Sequence, residues 1–157
     1  MVTSDEKKLK ADLSVMKACK PIEEFYKDNQ TDTEIILPEV KASTLTRIVE
    51  FCKQYHNKTP PVVEKPLKTN KLSEAVKDEW LESKLEMSLN ELYELISACD
   101  YLELKSLEDL AACAVAVKIV GKDVQEIRKE FKIVNDYTAA EESEIKEFFS
   151  WSDELWP

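Results

Sequence analysis

Gly121-Lys-Asp-Val-Gln-Glu-Ile-Arg-Lys-Glu-Phe131 leads through Lys132-Ile-Val-Asn-Asp-Tyr-Thr138 into Ala139-Ala-Glu-Glu-Ser-Glu-Ile-Lys-Glu-Phe-Phe-Ser-Trp151. Gly121 is the only glycine in the chain. A single glycine between two helical patterns marks a backbone position that needs a left-handed conformation, as after a helix end. Asp123 with Glu126 three residues on is an N-cap signature, and Thr138 with Glu141 repeats it. The stretch therefore reads as helix end, glycine turn, short helix, connector and capped helix. Its last helix carries Ile145, Phe148, Phe149 and Trp151, followed by Leu155 and Trp156. So much aromatic surface on a short helix has to be covered by something.

Working back toward the N-terminus, Ser88 and Glu91 form another capping box. It opens a helix over 89–102, and Leu104 to Val120 continues into one that is apolar nearly all round, the mark of a central helix. Trp80, Leu81 and Leu85 belong to a helix before these. Residues 56–72 hold Pro60, Pro61 and Pro66 among lysines, which excludes a regular helix and predicts a mobile surface loop. Ser43 or Thr44 opens a strong helix with Leu45, Ile48, Val49 and Cys52 on its apolar face. Thr33 to Leu37 reads as a strand closed by Pro38. Pro21 begins a helix bearing Ile22, Phe25 and Tyr26, after a short helix from Leu13 to Lys17. Lys8 to Ala11 suits an edge strand. Strands confined to the first third, with many helices after them, predict an α+β fold in which a helical cluster packs a small sheet.

The chain of 157 residues carries 32 acidic and 22 basic residues, a balance that disfavours nucleic acid and anionic membrane surfaces. No apolar run approaches the ~18 residues that span a bilayer. The N-terminus is charged, so no secretory signal is expected. Cys19, Cys52, Cys99 and Cys113 form no C-x-x-C pair and read as buried reduced thiols of a cytoplasmic or nuclear protein. His56 is the sole histidine, with no serine, cysteine or carboxylate pattern around it that makes a catalytic unit. Glu141, Glu142 and Glu144 fall in a helix's first turn, where the dipole favours acids, and lack the glycine of a calcium loop. No catalytic residue, metal or cofactor is expected.

The C-terminal stretch resembles the tail of the Skp adaptor family (S-phase kinase-associated adaptors of cullin and F-box ubiquitin ligases). The residues that carry the likeness are Gly121-Lys122, Glu126-Ile127-Arg128-Lys129, Phe131, Asn135-Asp136-Tyr137-Thr138, Glu141-Glu142 and Trp151, in register and without gaps. Leu37-Pro38-Glu39-Val40, Ile48 to Cys52, Pro60-Pro61, Trp80 and Asp100 to Leu107 extend it over most of the chain. The resemblance implies a BTB/POZ-like domain over 1–120 and an F-box-binding helical extension over 121–157. It implies a non-catalytic adaptor, present in cytoplasm and nucleus, that joins F-box proteins to a cullin N-terminal region. The F-box surface would involve Val117, Val120, Ile127, Phe131, Ile133, Ile145, Phe149 and Trp151, unless these simply pack on one another. The cullin surface would involve Asp100 and Tyr101, with Pro38 and Val40 nearby.

Departures from the family pattern make the chain a divergent member. Lys8, Leu9 and Lys10 stand where acidic and aromatic residues are usual, and the acidic loop before Ile35 is reduced. Asp100 replaces an Asn, Asp123-Val124 replaces Thr-Pro, and Phe148 and Phe149 replace polar residues. An alternative follows: a structural component outside ubiquitin ligases that keeps F-box-like or self partners and has lost the cullin. The exposed aromatic end also predicts homodimers when no partner is present.

Overall fold

A computed structural model describes residues 1–28 and 34–150. The elements run β1 (Val2–Thr3), α1 (Leu13–Met16), α2 (Lys20–Asp28), β2 (Ile36–Leu37), α3 (Ala42–Gln54), α4 (Leu72–Val76), α5 (Glu79–Leu85), α6 (Leu89–Tyr101), α7 (Lys105–Ala116), α8 (Val124–Phe131) and α9 (Ala139–Phe148). Two compact units follow one another, Met1–Gly121 and Lys122–Pro157.

In the first unit β1 lies parallel to β2, Val2 opposite Ile36 and Thr3 opposite Leu37. The expected edge strand at Lys8–Ala11 is not one: the chain turns at Glu6, whose φ is 56°, and returns only far enough for a single bridge between Val2 and Lys8. Alternating lysines there bury nothing that would prolong the ladder. The strand expected from Thr33 shortens to Ile36–Leu37, and Thr33 itself lies outside the described residues.

Helix α3 begins at Ala42 rather than at Ser43 or Thr44, and Lys41 at its N-cap offers no side-chain bond. The missing cap comes from another part of the chain. Asp5 Oδ1 accepts the Ala42 N–H at 3.0 Å from 37 residues away. The Thr3 hydroxyl first, then Lys7 and that N–H, hold the Asp5 carboxyl well below the usual carboxylate range. One residue thus fixes the β1 turn to the start of α3.

Leu45, Ile48, Val49 and Cys52 of α3 share one buried core with Leu92, Leu95, Ala98 and Cys99 of α6, with Leu102 just after it, and with Leu107, Leu110, Ala111 and Ala114 of α7. The spacings of three and four are those of one helical face. The expected helix from Leu104 to Val120 is regular over Lys105–Ala116, then unwinds through a turn into Gly121, whose φ of 75° is left-handed.

Between α3 and α5 the segment 59–70 is non-helical, as expected for most of 56–72, and a five-residue α4 that no sequence pattern announced begins at its end. The segment makes contacts on both sides. Lys65 meets Asp109 of α7 at 3.1 Å, Lys77 meets Glu64 at 3.0 Å, and Val63 and Leu67 pack on the core. The Tyr55 hydroxyl donates to Asp78 Oδ2 at 2.6 Å, while Asp78 Oδ1 caps α5 through Leu81 N–H at 3.0 Å.

The second unit is built from local signals. Asp123 and Glu126 close a capping box on α8, and Thr138 and Glu141 close one on α9. Lys132 ends α8 in the left-handed region with φ 55°. Glu142 Oε1 of α9 accepts from Arg128 Nη1 at 3.0 Å and from Asn135 Nδ2 at 2.8 Å, so one carboxylate holds α9 to α8 and to the connector. No residue of α8 or α9 is buried.

Candidate protein-docking site

An isolated pair of short helices with nothing buried has little hydrophobic free energy to hold it. The second unit is therefore unusual for what it leaves in water. Val124, Ile133, Val134, Tyr137, Ile145, Phe148 and Phe149 are all exposed. Val134 reaches 83% and Phe148 71%. Phe148 and Phe149 stack edge to face with centroids 5.0 Å apart.

Between α8 and α9 opens a cleft of about 340 Å³. Val124, Tyr137 and Ile145 supply its apolar wall, and Arg128, Glu142 and Lys146 its polar edge. Arg128 first, then Asn135, holds the Glu142 carboxyl below its ordinary value, so that edge stays ionised near neutrality. An apolar slot with a charged rim suits an amphipathic helix or hairpin from a partner.

The expected F-box-facing residues divide by unit. Val117 is buried in the core of the first unit, and Val120 is half-buried after it. Val117 is thus a packing residue and presents almost no surface to a partner. In the second unit Ile127 and Phe131 are half-buried, while Ile133, Ile145 and Phe149 are exposed. Trp151 lies outside the described residues. Val124 and Tyr137 were missed as site residues. Val124 precedes Ile127 and Phe131 at helical spacing, so the α8 periodicity already contained that signal. Tyr137 lies in the connector, where no periodicity speaks.

A second surface lies on the first unit. Tyr93, Glu94, Ser97, Asp100 and Tyr101 all point outward from α6. Tyr101 is 37% exposed, so its ring is mostly seated and its edge is available. Lys41 Nζ meets Glu94 Oε1 at 2.6 Å and brings the segment after β2 onto the flank of α6. Pro38 in that segment is exposed. Val40 is not: it has no exposed surface and belongs to the core, because its side chain points inward between β2 and α3. It is withdrawn as a contact residue. The charge that Asp100 introduces is engaged on this surface by Lys105 Nζ at 3.3 Å, and Lys105 also meets Glu108 at 2.8 Å. Those two carboxylates, Glu108 foremost, raise the Lys105 pKa.

The remaining reactive groups are placed for packing. Cys19, Cys52, Cys99 and Cys113 are free and buried. The hydrogen bond with Cys52, and then burial, hold Cys19 as a thiol, and burial pushes Cys99 up to about 12. His56 is exposed in the turn after α3. Among the described residues no group of three or more His, Cys, Asp or Glu is arranged to hold a metal ion, and no helix is long and apolar enough to cross a membrane.

Comparison with known proteins matches this layout. Family models for the Skp1 family fit residues 1–57 as its tetramerisation domain and residues 105–152 as its dimerisation domain. The chain is 40% identical to an S-phase kinase-associated protein 1 homolog of Tetrahymena thermophila over 147 residues, which is 93% of this chain and 88% of that protein.

The chain belongs to the Skp1 family.

Within the Skp1 family it is also 30% identical to SKP1-like protein 12 of Arabidopsis thaliana over 154 residues, covering 98% of this chain and 95% of the relative. It is 30% identical to the E3 ubiquitin ligase complex SCF subunit sconC of Arthroderma otae over 155 residues, covering 98% and 93%. The N-terminal match is to the family's POZ module, so the small parallel sheet with its helical cluster is a BTB/POZ-like α+β fold.

Proposed function

We propose that this chain is the adaptor subunit of a cullin-based ubiquitin ligase, holding an F-box protein on one surface and a cullin N-terminal region on another. The observation that carries this reading is the second unit: two capped helices that bury none of their residues and display an apolar row beside a cleft. A segment of that kind reaches ordinary packing only when a partner supplies the missing side chains. The name of the relative from Arthroderma otae, an E3 ubiquitin ligase complex SCF subunit, supports the ligase context. The role needs no chemistry from the adaptor. It raises the effective concentration of a substrate near a ubiquitin-charged enzyme, which acts through proximity. Ile127, Phe131, Ile133, Ile145 and Phe149 would meet the F-box, and Tyr101, Asp100 and Pro38 the cullin. Four buried reduced thiols support a site of action in the reducing cytoplasm and nucleus.

Pull-down with a recombinant F-box domain and with a cullin N-terminal region tests the proposal. Both are expected to bind, and Tyr101→Lys is expected to abolish cullin binding while leaving F-box binding intact. Retention of the F-box domain with no cullin binding by the wild-type chain would favour a scaffold outside ubiquitin ligases, a reading that the Asp100 substitution motivates. Binding of neither would overturn the adaptor reading.

A further inference from the structure

We infer that Thr59 is a phosphorylation site for a proline-directed serine/threonine kinase. The modification involves neither set of docking residues and does not depend on the adaptor reading. Thr59 is the one Ser or Thr in the chain that a proline follows. Proline fixes its own φ, carries no N–H and holds the residue before it to an extended backbone. Thr59-Pro60-Pro61 is therefore pre-set in the extended form in which a kinase groove takes a peptide. A groove with no acceptor for the N–H of the following residue discriminates in its favour.

The fold offers this residue to solvent. The turn after α3 closes with the Lys58 N–H on the Tyr55 carbonyl at 3.2 Å, and Thr59 is the next residue. It is exposed, and among the described residues its hydroxyl has no hydrogen-bond partner. The hydroxyls of Thr3, Thr46, Thr69 and Thr138 are all bonded. Among the described residues, none from 59 to 70 takes part in a backbone–backbone hydrogen bond, so a kinase can lift Thr59 without breaking secondary structure. Val62 is 86% exposed and gives little hold, and Val63, which packs on the core, keeps the far end of the stretch in place.

The charge around Thr59 suits the product. In a chain of net charge -10, residues 53–63 hold Lys53 and Lys58 and no acid. Phosphothreonine adds a charge of about −2 near neutrality, which offsets both lysines. In the transfer, Thr59 Oγ1 attacks the γ-phosphorus of Mg-ATP. An Oγ1–P bond replaces the bond to the bridging oxygen, ADP leaves, and the hydroxyl proton passes to the kinase's catalytic carboxylate. Kinase and ATP supply everything except the accepting hydroxyl.

Incubation of the full chain with a recombinant proline-directed kinase and Mg-ATP, followed by peptide mass spectrometry, tests this. One phosphoryl group is expected, placed on Thr59. Thr59→Ala and Pro60→Ala are expected to lose the labelling, and Thr59→Ser to keep it. Mapping of the wild-type chain locates the phosphoryl group directly, so the result stands whether or not a variant folds. An unlabelled wild-type chain, labelling placed on another residue instead, or a Pro60→Ala variant labelled as fast as wild type would overturn the inference. The chain isolated from its own cells with phosphatases inhibited should carry phosphothreonine at position 59, and its absence there would also overturn it.

Discussion

Truncating Leu110 and truncating Ile145 to alanine remove similar aliphatic groups from two surroundings that differ in kind. Leu110 sits in α7 with no exposed surface, within the core shared by α3, α6 and α7. Its loss leaves a cavity that close-packed neighbours fill only in part, at a cost of roughly 2–5 kcal/mol. For a unit of this size that corresponds to a fall of about 10 °C or more in the main thermal transition. Ile145 is 39% exposed on a helix with no buried residue. Its truncation forfeits partial contacts and no enclosed packing, roughly 1 kcal/mol or less, confined to the second unit. Toward a docked F-box domain the ranking reverses. Ile145 lines the cleft and is expected to lose about 2 kcal/mol of affinity, near 30-fold. Leu110→Ala, measured well below its transition, should keep wild-type affinity. Calorimetric melting of both variants, with titration of the F-box domain into each at 15 °C, reads the two effects separately. The reasoning is refuted if Ile145→Ala lowers the main transition as much as Leu110→Ala does, or if its F-box affinity matches wild type.

Further expectations concern single residues. The folded-state pKa of Asp5 is depressed, so its stabilisation is present above the ordinary carboxylate range near pH 4 and is lost as pH falls through the folded value. Asp5→Asn should lower the melting temperature at pH 7 and flatten its decline below about pH 4, as followed by circular dichroism; a parallel shift at every pH would refute the linkage. Gly121→Ala meets no atom within 4 Å but must hold φ near 75°, so about 1 kcal/mol of backbone strain is expected without a steric term. Denaturant unfolding should then show a smaller loss for Gly121→Asn than for Gly121→Ala. Thr138→Ala removes the side chain that accepts the Glu141 N–H, and should destabilise α9 by about 1 kcal/mol. Amide exchange should quicken over 139–148 and remain unchanged in α6 and α7.

What could be read in advance follows from how far each signal travels along the chain. The boxes at Ser88–Glu91, Asp123–Glu126 and Thr138–Glu141 lie within one helical turn, and all are present as expected. Gly121 announces its left-handed turn because no other residue type takes that conformation so cheaply. The cap of α3 could not be read this way, since Asp5 reaches it from a distant turn. Helix α4 was hidden by its length, five residues being too few to show a period. Val40 was expected near the surface with Pro38, yet β2 ends at Leu37 and a turn, closed by the Val40 N–H on the Leu37 carbonyl at 3.3 Å, leaves Pro38 outside and Val40 in the core.

Local chemistry along the chain thus determined the longer helices, the three capping boxes, the glycine turn and the surplus of apolar side chains after Thr138. All of these are decided between residues a few positions apart, where chain entropy is small. Tertiary structure alone decided that β1 pairs parallel with β2, that Val40 and Val117 are enclosed, and that Ile133, Ile145 and Phe148 stay in water. Burial is a property of which surfaces meet across long loops, and periodicity shows that a face is apolar without showing what covers it.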